Sequence, residues 1–374
     1  MDISNRIDEN GVDLRPDWAL CRGTRVGKKL DFGNMELYGE AKAGKAGDAF
    51  FDSDGSETMN TLEKVTGQSA ETRGQIISYA AKLQSFQHRC SSYSFLICGQ
   101  YARFFRWDRS GCVVSALFNF HEQPEILASF FWCYAHLSDK ERGYDPTAKR
   151  ASLEEIKYLS DATKKFIKDS RPRDVSFMLP KEEPSYPYPV FKIRVQAEDG
   201  AHNLIVKKPF LDVDSPCGRA TRAYAAFDMK TRKLVFLKDS WRTEDNDYAS
   251  EAAIYKELIQ RGVPFLPIVL AAGDVVDKDT GEKQVTFTQV WSDDSKKPDW
   301  RLPCDGLRTL VHHRVIQELA YPLTSARSSK EAVQAVRDAV EGTNSFPFFI
   351  PPHAWADADS SPPSCILCGE LSSP

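Results

Sequence analysis

The sequence predicts an α+β protein with two folded domains and a disordered C-terminal tail. In residues 1–142, short strand patterns alternate with helix patterns, which indicates a mixed α/β domain. Residues 190–341 carry successive strand patterns around one amphipathic helix, which indicates an antiparallel sheet. Between them lies 143–189, a helix followed by a proline-rich linker, and 342–374 is rich in Pro and Ser without periodicity.

The composition is that of a globular protein with a slight acidic excess. Of the 374 residues, 41% are hydrophobic and 11% are aromatic, and the formal net charge is -4. This balance gives no overall basic surface, so a nucleic-acid partner would need a local patch. The polar N-terminus is unlike a signal peptide, and no apolar run reaches the roughly 18 residues of a membrane helix. Because the nine cysteines are mostly scattered, we expect an intracellular protein, in the cytoplasm or nucleus, without membrane contact.

Short strands and two helices account for the first domain. The strand patterns are WALC (Trp18–Cys21), MELYGEAK (Met35–Lys42), YSFLICG (Tyr93–Gly99) and a hairpin in ARFFRWDRSGCVVSALF. The hairpin turn is predicted at Asp108–Gly111, where the glycine permits the backbone to turn. Apolar residues at helical spacing predict one helix from about Ser69 to Gln87 and another after Pro124.

A helix with a clear start signal precedes the second domain. Ser152 and Glu155 form a capping box at the start of a helix that runs to Asp169. The strand patterns that follow are VFKIRV, NLIVKK, AYAAFD, KLVFLK, FLPIVLAAG, QVTFTQV and HRVIQEL. Further helices are predicted from about Asp247 to Arg261 and from near Ser328 onward.

The segment LVFLKDSWR, Leu234–Arg242, places a lysine at the end of a buried strand, ahead of an amphipathic helix. With GRATRAYAAFD, SEAAIYKEL, GVPFLPIVLAAGDV, QHRCSSYSFLICGQYARFFRWDRSG and RGYDP, it resembles the fungal-type protein kinase family over most of the chain. The resemblance implies a protein-kinase-like N-lobe at 190–341, an antiparallel sheet with one αC-type helix. It also implies ATP-dependent protein phosphorylation as the family activity, with ATP and Mg²⁺ as cofactors.

The resemblance assigns candidate ATP-binding roles to three residues. Lys238 would contact the α- and β-phosphates, since an ammonium group on a rigid strand is a fixed point charge. Glu251 would be its partner on the helix, with Glu257 as the alternative by spacing. Gly218 would lie in the loop that covers the phosphates. CGRATRAY has one glycine where the kinase loop G-x-G-x-x-G has three, which predicts a degenerate ATP-binding site.

The motifs for phosphoryl transfer do not follow this lobe. A kinase needs a catalytic-loop aspartate, as in H-R-D, and a metal-binding aspartate of the D-F-G type after it. Neither motif occurs after the helix that begins near Ser328. We therefore expect a truncated and inactive pseudokinase, whose uncovered lobe face binds an unidentified protein partner.

A second group of polar residues lies in the first half. Pro16-Asp17 opens one strand, Glu40-Ala41-Lys42 closes another, and Gln75 and Tyr79 lie one turn apart on the next helix. This order resembles the PD-(D/E)XK nuclease fold. The resemblance implies that Asp17 and Glu40 bind Mg²⁺, that Lys42 positions the attacking water, and that Gln75 and Tyr79 support the site.

Three interpretations of the function stay open at this point. The first is a fungal-type protein kinase family member without phosphotransfer, and the second is a Mg²⁺-dependent nuclease-like domain at 1–142. The third is a non-catalytic module that binds a partner through the uncovered lobe face. Cys365 and Cys368 have the spacing of half a zinc site, without a second cysteine or histidine pair.

Overall fold

Two β-sheets organise the protein, one built mainly from residues 18–119 and the other from residues 148–318. The structure, a computed structural model, describes residues 15–22, 32–52, 62–170, 188–197, 199–210, 213, 215–244, 249–292, 307–320, 322–344 and 366–369. The mixed α and β content that the sequence predicts is confirmed. Within the described ranges, no helix is both long enough and apolar enough to span a bilayer.

The strands and helices follow one another in mixed order along the chain. The strands are β1 (Trp18–Cys21), β2 (Met35–Lys42), β3 (Ser91–Cys98), β4 (Tyr101–Asp108), β5 (Cys112–Ser115), β6 (Phe118–Asn119), β7 (Ala148–Arg150), β8 (Phe191–Ala197), β9 (Gly200–Val206), β10 (Arg222–Asp228), β11 (Lys233–Thr243), β12 (Val269–Asp274), β13 (Leu310–Glu318) and β14 (Ile366–Gly369). The helices are α1 (Gly67–Phe86), α2 (Pro124–His136), α3 (Leu153–Ser170), α4 (Glu251–Gln260) and α5 (Ser329–Asn344).

The first sheet has the order β1-β2-β3-β4-β5-β14, with β6 paired to β4. β2 and β3 are parallel because α1 connects them as a crossover, whereas β1 and β4 pair with their neighbours in the antiparallel sense. Successive residues of β4 point to opposite faces of the sheet. Phe105 therefore packs with Ile76 and Leu83 of α1, while Phe104 stacks on Phe130 of α2 with 3.9 Å between ring centroids. The two helices thus cover opposite faces of the first sheet.

The second sheet has the order β12-β13-β11-β10-β9-β8-β7 and is antiparallel throughout. It curls until β8 lies against β12, where a Cβ atom on Gly273 would stand 3.1 Å from the carbonyl oxygen of Gln196. The curled sheet encloses an apolar core, which includes Ile193, Leu204, Tyr224, Leu237 and Ile316. Outside it, α3 packs against β9, β10 and β11, and α4 packs against β12.

Several local signals in the sequence are confirmed by hydrogen bonds. The capping box forms at the start of α3, where Ser152 N–H donates to Glu155 at 2.9 Å and Glu155 N–H donates to Ser152 Oγ at 3.2 Å. The hairpin between β4 and β5 turns at Asp108–Gly111. Gly262 follows α4 in the left-handed region, with φ of 70°, which favours glycine at this position.

The prediction of a strand at QVTFTQV is wrong. Residues 284–290 make one isolated bridge and then enter a 3-10 turn, Thr288–Ser292. The physical reason is a contact with the first domain. The N–H groups of Phe287 and Thr288 donate to the Asp108 carboxylate at 2.9 and 2.8 Å, so they do not pair with a neighbouring strand.

The second sheet includes residues from before position 190. β7, Ala148–Arg150, pairs with β8, and α3 packs on the same sheet. The tail 342–374 was expected to be disordered, but residues 366–369 form β14 beside β5. The unpaired backbone groups at the β5 edge give this short apolar stretch a partner that a sequence pattern does not show. The proline-rich segment 171–187 lies outside the described residues.

Candidate functional site

A row of charged residues crosses three strands at one end of the curled sheet. Arg222 on β10, Asp239 on β11 and Arg314 on β13 are direct cross-strand neighbours. Because alternate residues of a strand share a face, Asp239 points to the same side as Leu237, which is part of the enclosed core. The charged row therefore lies inside the curled sheet, next to its apolar interior, and all three side chains are buried.

Asp239 is the centre of this row. Its Oδ1 atom contacts His312 Nε2 and accepts a hydrogen bond from Arg314 Nε at 3.3 Å, and its Oδ2 atom accepts one from Arg222 Nη2 at 3.3 Å. Burial alone would raise the pKa of this carboxyl, but the charges of His312, Arg314 and Arg222 hold it well below its ordinary value. Asp239 is therefore ionised at neutral pH, with its oxygens occupied.

Arg314 connects the row to the first half of the chain. Its Nη2 atom donates to Asp145 Oδ2 at 2.6 Å, and its Nη1 atom donates to Thr147 Oγ1 at 2.7 Å. Asp145 belongs to the segment RGYDP, and its other oxygen accepts from Thr147 N–H and from Gln284 Nε2, both at 2.8 Å. Although burial opposes it, Arg314 lowers the pKa of Asp145 below its ordinary value. The two halves thus share a buried, fully hydrogen-bonded ion pair.

His88 extends from the first domain into the same end of the curled sheet. Its ring lies edge-on to Phe191, with centroids 4.7 Å apart, and 6.2 Å from the ring of Tyr224. Burial and the charge of Arg222 lower the pKa of His88 to about 4, although Asp239 acts in the opposite direction. The imidazole is therefore neutral at pH 7 and serves as an aromatic plug of the apolar interior.

The hairpin turn between β4 and β5 makes a second contact between the halves. The Asp108 carboxylate accepts hydrogen bonds from its own turn, at Ser110 N–H, as well as from the segment after β12. Next to it, Arg109 donates to Pro216 O at 3.0 Å, and the carbonyl of Arg109 accepts from Gly218 N–H at 2.7 Å. The segments RWDRSG, RGYDP and LKDSWR therefore meet at one junction, although they lie far apart in the sequence.

Sequence reasoning missed this junction, although a signal was present. Alternate residues of a strand share a face, so Asp239 and Trp241 of LKDSWR point to one side, and the register with β13 places His312 and Arg314 of HHRVIQ on that same side. A charged residue at an inward position of a strand needs a buried partner. That signal was readable, but the identity of the partners depends on how the sheet curls.

Lys238 lies on the opposite face of β11 from the junction. Its Nζ atom is 2.7 Å from Glu251 Oε2 at the start of α4, and the two side chains are 26% and 23% exposed. Ser250 caps α4 by accepting a hydrogen bond from Ala253 N–H, which fixes the first turn that carries Glu251. Glu257, the alternative partner, pairs with Arg261 instead. The arrangement presents one accessible ammonium group, held in place by a carboxylate.

Gly218 lies at the contact with the first domain and not beside Lys238. It has a φ of 88°, so a residue with a side chain would be strained there, and its N–H donates to the first domain at Arg109. The structure therefore uses Gly218 at the junction between the halves and does not bring it into the contact between Lys238 and Glu251.

The polar residues of the first domain come together in part. Lys42 Nζ lies 2.6 Å from Glu40 Oε1 and 2.7 Å from Gln75 Oε1, and Asp17 Oδ2 accepts from Ala41 N–H at 2.9 Å. Burial raises the pKa of Glu40, and the nearby charge of Asp17 raises it further. The hydrogen bond from Lys42 acts in the opposite direction, but the pKa remains above its ordinary value. Two carboxylates, one ammonium group and one amide therefore share the end of β2.

Tyr79 lies in the core and not at the surface with Glu40, Lys42 and Gln75. It is buried in the core beneath α1, where its ring lies edge-on to Tyr38 with centroids 5.7 Å apart. Among the described residues, no group of three or more His, Cys, Asp or Glu side chains could hold a metal ion. Of the two cysteines considered for zinc, Cys365 lies outside the described residues and the side chain of Cys368 is not described.

The letters of the metal-binding motif D-F-G do occur in the first half, at residues 31–33. Asp31 lies outside the described residues. Phe32 is buried and packs near Phe86 of α1, with ring centroids 6.4 Å apart, and the carbonyl of Gly33 accepts a hydrogen bond from Arg150. This tripeptide precedes β2 and belongs to the core of the first domain, far in sequence from the helix that a catalytic loop would follow.

An apolar surface lies on the side of the second domain that carries α4 and α5. Its large side chains are between about two-fifths and two-thirds exposed: Ile254, Ile259, Phe265, Ile268, Leu270, Val333, Val336 and Val340. Surfaces of this kind often mark interaction sites. The partner expected from the sequence stays a prediction.

The comparisons with known proteins identify one family. The sequence profile described as "Fungal protein kinase" matches residues 57–347, which is more than three-quarters of the chain. Neither the search of curated proteins nor the search of solved structures found a match. The matched range includes the junction segments of both halves as well as Lys238 and Glu251.

The buried ring of His88 predicts how stability depends on pH. The unfolded chain protonates a histidine near pH 6.5, whereas the folded protein resists protonation down to about pH 4, so protons favour unfolding in between. Lowering the pH from 7 to 5 should therefore remove about 2 kcal/mol through this residue. His88→Phe keeps an aromatic plug and should lose about 2 kcal/mol less than the wild type over this interval, measured by urea unfolding.

The exposed His121 offers a control for this experiment, because its replacement by Phe should leave the pH dependence as it is in the wild type. Equal losses of stability in the wild type and in His88→Phe would contradict the account of His88 as a neutral plug.

Proposed function

Since the chain belongs to the fungal protein kinase family, we propose that residues 190–341 form the nucleotide-facing lobe of a protein kinase domain. The observation that carries the proposal is the 2.7 Å contact between Lys238 Nζ and Glu251 Oε2. Protein kinases use an ion pair between a strand lysine and a glutamate of the following helix to hold the nucleotide. Lys238 and Glu251 have these positions on β11 and α4.

The geometry suits the binding of phosphate groups. The main chain of Lys238 is held between two strands, since Ala223 of β10 and Val315 of β13 are its cross-strand neighbours. Its ammonium group is oriented by Glu251 but remains partly exposed, so a phosphate oxygen can approach it. A charge that is already in place needs no reorganisation when the ligand arrives, which favours binding.

The residues of this chain would bind the nucleotide through Lys238 and Glu251. Mg²⁺ would neutralise the phosphates when it is bound, but in kinases it is held by a D-F-G aspartate and a catalytic-loop asparagine. In this sequence, no H-R-D occurs and no D-F-G follows the lobe. The lobe residues therefore do not provide the ligands with which a kinase holds Mg²⁺. We therefore propose no phosphoryl transfer by these 374 residues alone.

The binding of ATP tests this proposal. The wild type should bind a fluorescent ATP analogue, and Lys238→Met and Glu251→Gln should each bind it at least about tenfold more weakly, because a charge-assisted contact is lost. Lys256→Met, on the exposed side of α4, is the matched control and should bind as the wild type does. A wild type that shows no saturable binding, or Lys238→Met with unchanged affinity, would refute the proposal.

A second candidate function is that of a Mg²⁺-dependent nuclease in the first domain. One observation favours it: Glu40 Oε2 is buried and has no hydrogen-bond partner among the described residues. Asp17 raises the pKa of Glu40, so the two carboxylates are close enough to repel each other. A divalent cation between them would remove this repulsion, and Lys42, held by Glu40 and Gln75, could position a water molecule.

Metal addition tests the second candidate. Millimolar Mg²⁺ should raise the melting temperature of the wild type and support the nicking of plasmid DNA. Asp17→Asn and Glu40→Gln should abolish both effects, since Mg²⁺ needs carboxylate oxygens. Glu71→Gln, on an exposed position of α1, should respond as the wild type does. The candidate fails if the variants and the wild type respond equally to Mg²⁺.

A further inference from the structure

The junction between the halves contains more hydrogen-bond donors than acceptors. Four buried N–H groups have no partner among the described residues: Nε and Nη2 of Arg109, Nε of Arg222 and Nε1 of Trp241. The three residues are at most 2% exposed. Native proteins satisfy nearly all of their buried polar groups, so unpaired N–H groups in one place indicate a missing acceptor.

These donors lie at the same end of the curled sheet. Arg222 is in the charged row with Asp239, and Trp241 follows Asp239 on the same inward side of β11. Arg109 reaches this end from the hairpin of the first domain: its carbonyl accepts from Gly218 N–H at 2.7 Å, and the carbonyl of the next residue, Arg219, accepts from Trp241 N–H at 2.8 Å. Burial and, after it, the charge of Arg222 lower the pKa of Arg109, which agrees with this placement.

The carboxylates at the junction are already occupied. Asp239 accepts from Arg222 and Arg314 and contacts His312. Asp145 accepts from Arg314, from Thr147 and from Gln284. Asp108 accepts from four main-chain N–H groups and from Arg106. Among the described residues, none of the three forms a hydrogen bond with Arg109, whose side chain donates to the carbonyl of Pro216.

Arg103 shows how the same protein treats another buried guanidinium group. It is 1% exposed, as Arg109 is, but it donates to Asp48 at 2.8 and 3.0 Å and to Asp52 at 2.7 Å, as well as to two carbonyl groups. Burial lowers the pKa of Arg109 to about 10, which still leaves it charged at neutral pH. A buried, charged arginine that has no hydrogen-bonded carboxylate among the described residues calls for a counter-ion.

We propose that Arg109 and Arg222 bind a small inorganic anion at the junction of the two halves, with Trp241 as a further donor. The anion supplies acceptors that the described residues do not provide, and it places a negative charge beside Arg109. This site is distinct from the proposed nucleotide site, because Asp239 and Trp241 point to one side of β11 and Lys238 points to the other. Its role is to join the two domains.

The test is the thermal unfolding of the full chain in phosphate or in chloride, at constant ionic strength, with gluconate as the bulky reference anion. The melting temperature of the wild type should rise by an amount on the order of 5 °C and then saturate, as expected for a ligand that binds the folded state alone. Phosphate alone would identify an oxyanion site and chloride alone a halide site, and either result supports the proposal.

Arg109→Met should remove the saturable rise and should be at least as stable as the wild type in gluconate, since it no longer buries an unpaired charge. Arg261→Met, at an exposed arginine of α4, should keep the rise. If Arg109→Met does not fold, binding to the wild type is measured directly, for chloride by the line width of the ³⁵Cl resonance and for phosphate by equilibrium dialysis of radiolabelled phosphate. An equal response in all proteins, or a wild type that binds neither anion, would show that water or a carboxylate of the chain occupies the junction and would overturn the proposal.

Discussion

The interaction of Asp239 with Arg222 and Arg314 is the constraint on which the rest of the structure depends. One carboxylate lies between two guanidinium groups at the end of an apolar interior, and Asp145 of the first half holds Arg314 from the other side. Because a buried charge that loses its partner costs about 3–5 kcal/mol, each of these residues fixes the position of the others. The halves are thus held together by paired charges as well as by apolar contacts, among which His88 is the clearest.

The same constraint determines where the candidate nucleotide site lies. The alternation of β11 sends Leu237, Asp239 and Trp241 inward, so Lys238 must point outward, towards α4 and Glu251. A shift of the register by one residue would bury the lysine and expose the aspartate. The buried charged row fixes the register of β11. It therefore also fixes the position from which Lys238 contacts Glu251 on the outer face.

The sequence predicted the local features well because they depend on neighbouring residues. The capping box at Ser152, the turn at Asp108 and the glycine after α4 are examples, and the approach of Glu40, Lys42 and Gln75 follows from strand and helix spacing. The features that it missed depend on contacts between distant segments. QVTFTQV has the alternation of a strand, but two of its main-chain N–H groups donate hydrogen bonds to Asp108 instead. Likewise, nothing in RGYDP alone shows that its aspartate faces an arginine 169 positions away.

A double-mutant cycle between Arg314 and Asp145 is the most direct test of this account. We expect Arg314→Met and Asp145→Asn each to lower the free energy of unfolding in urea by about 3–5 kcal/mol. The double variant should cost about 2 kcal/mol less than the sum, because the second change removes a charge that has already lost its partner. The part-exposed pair of Arg242 and Asp274, with Nη2 and Oδ2 2.7 Å apart, should give a coupling below about 1 kcal/mol. Additive losses for Arg314 and Asp145 would contradict the claim that this ion pair joins the two halves.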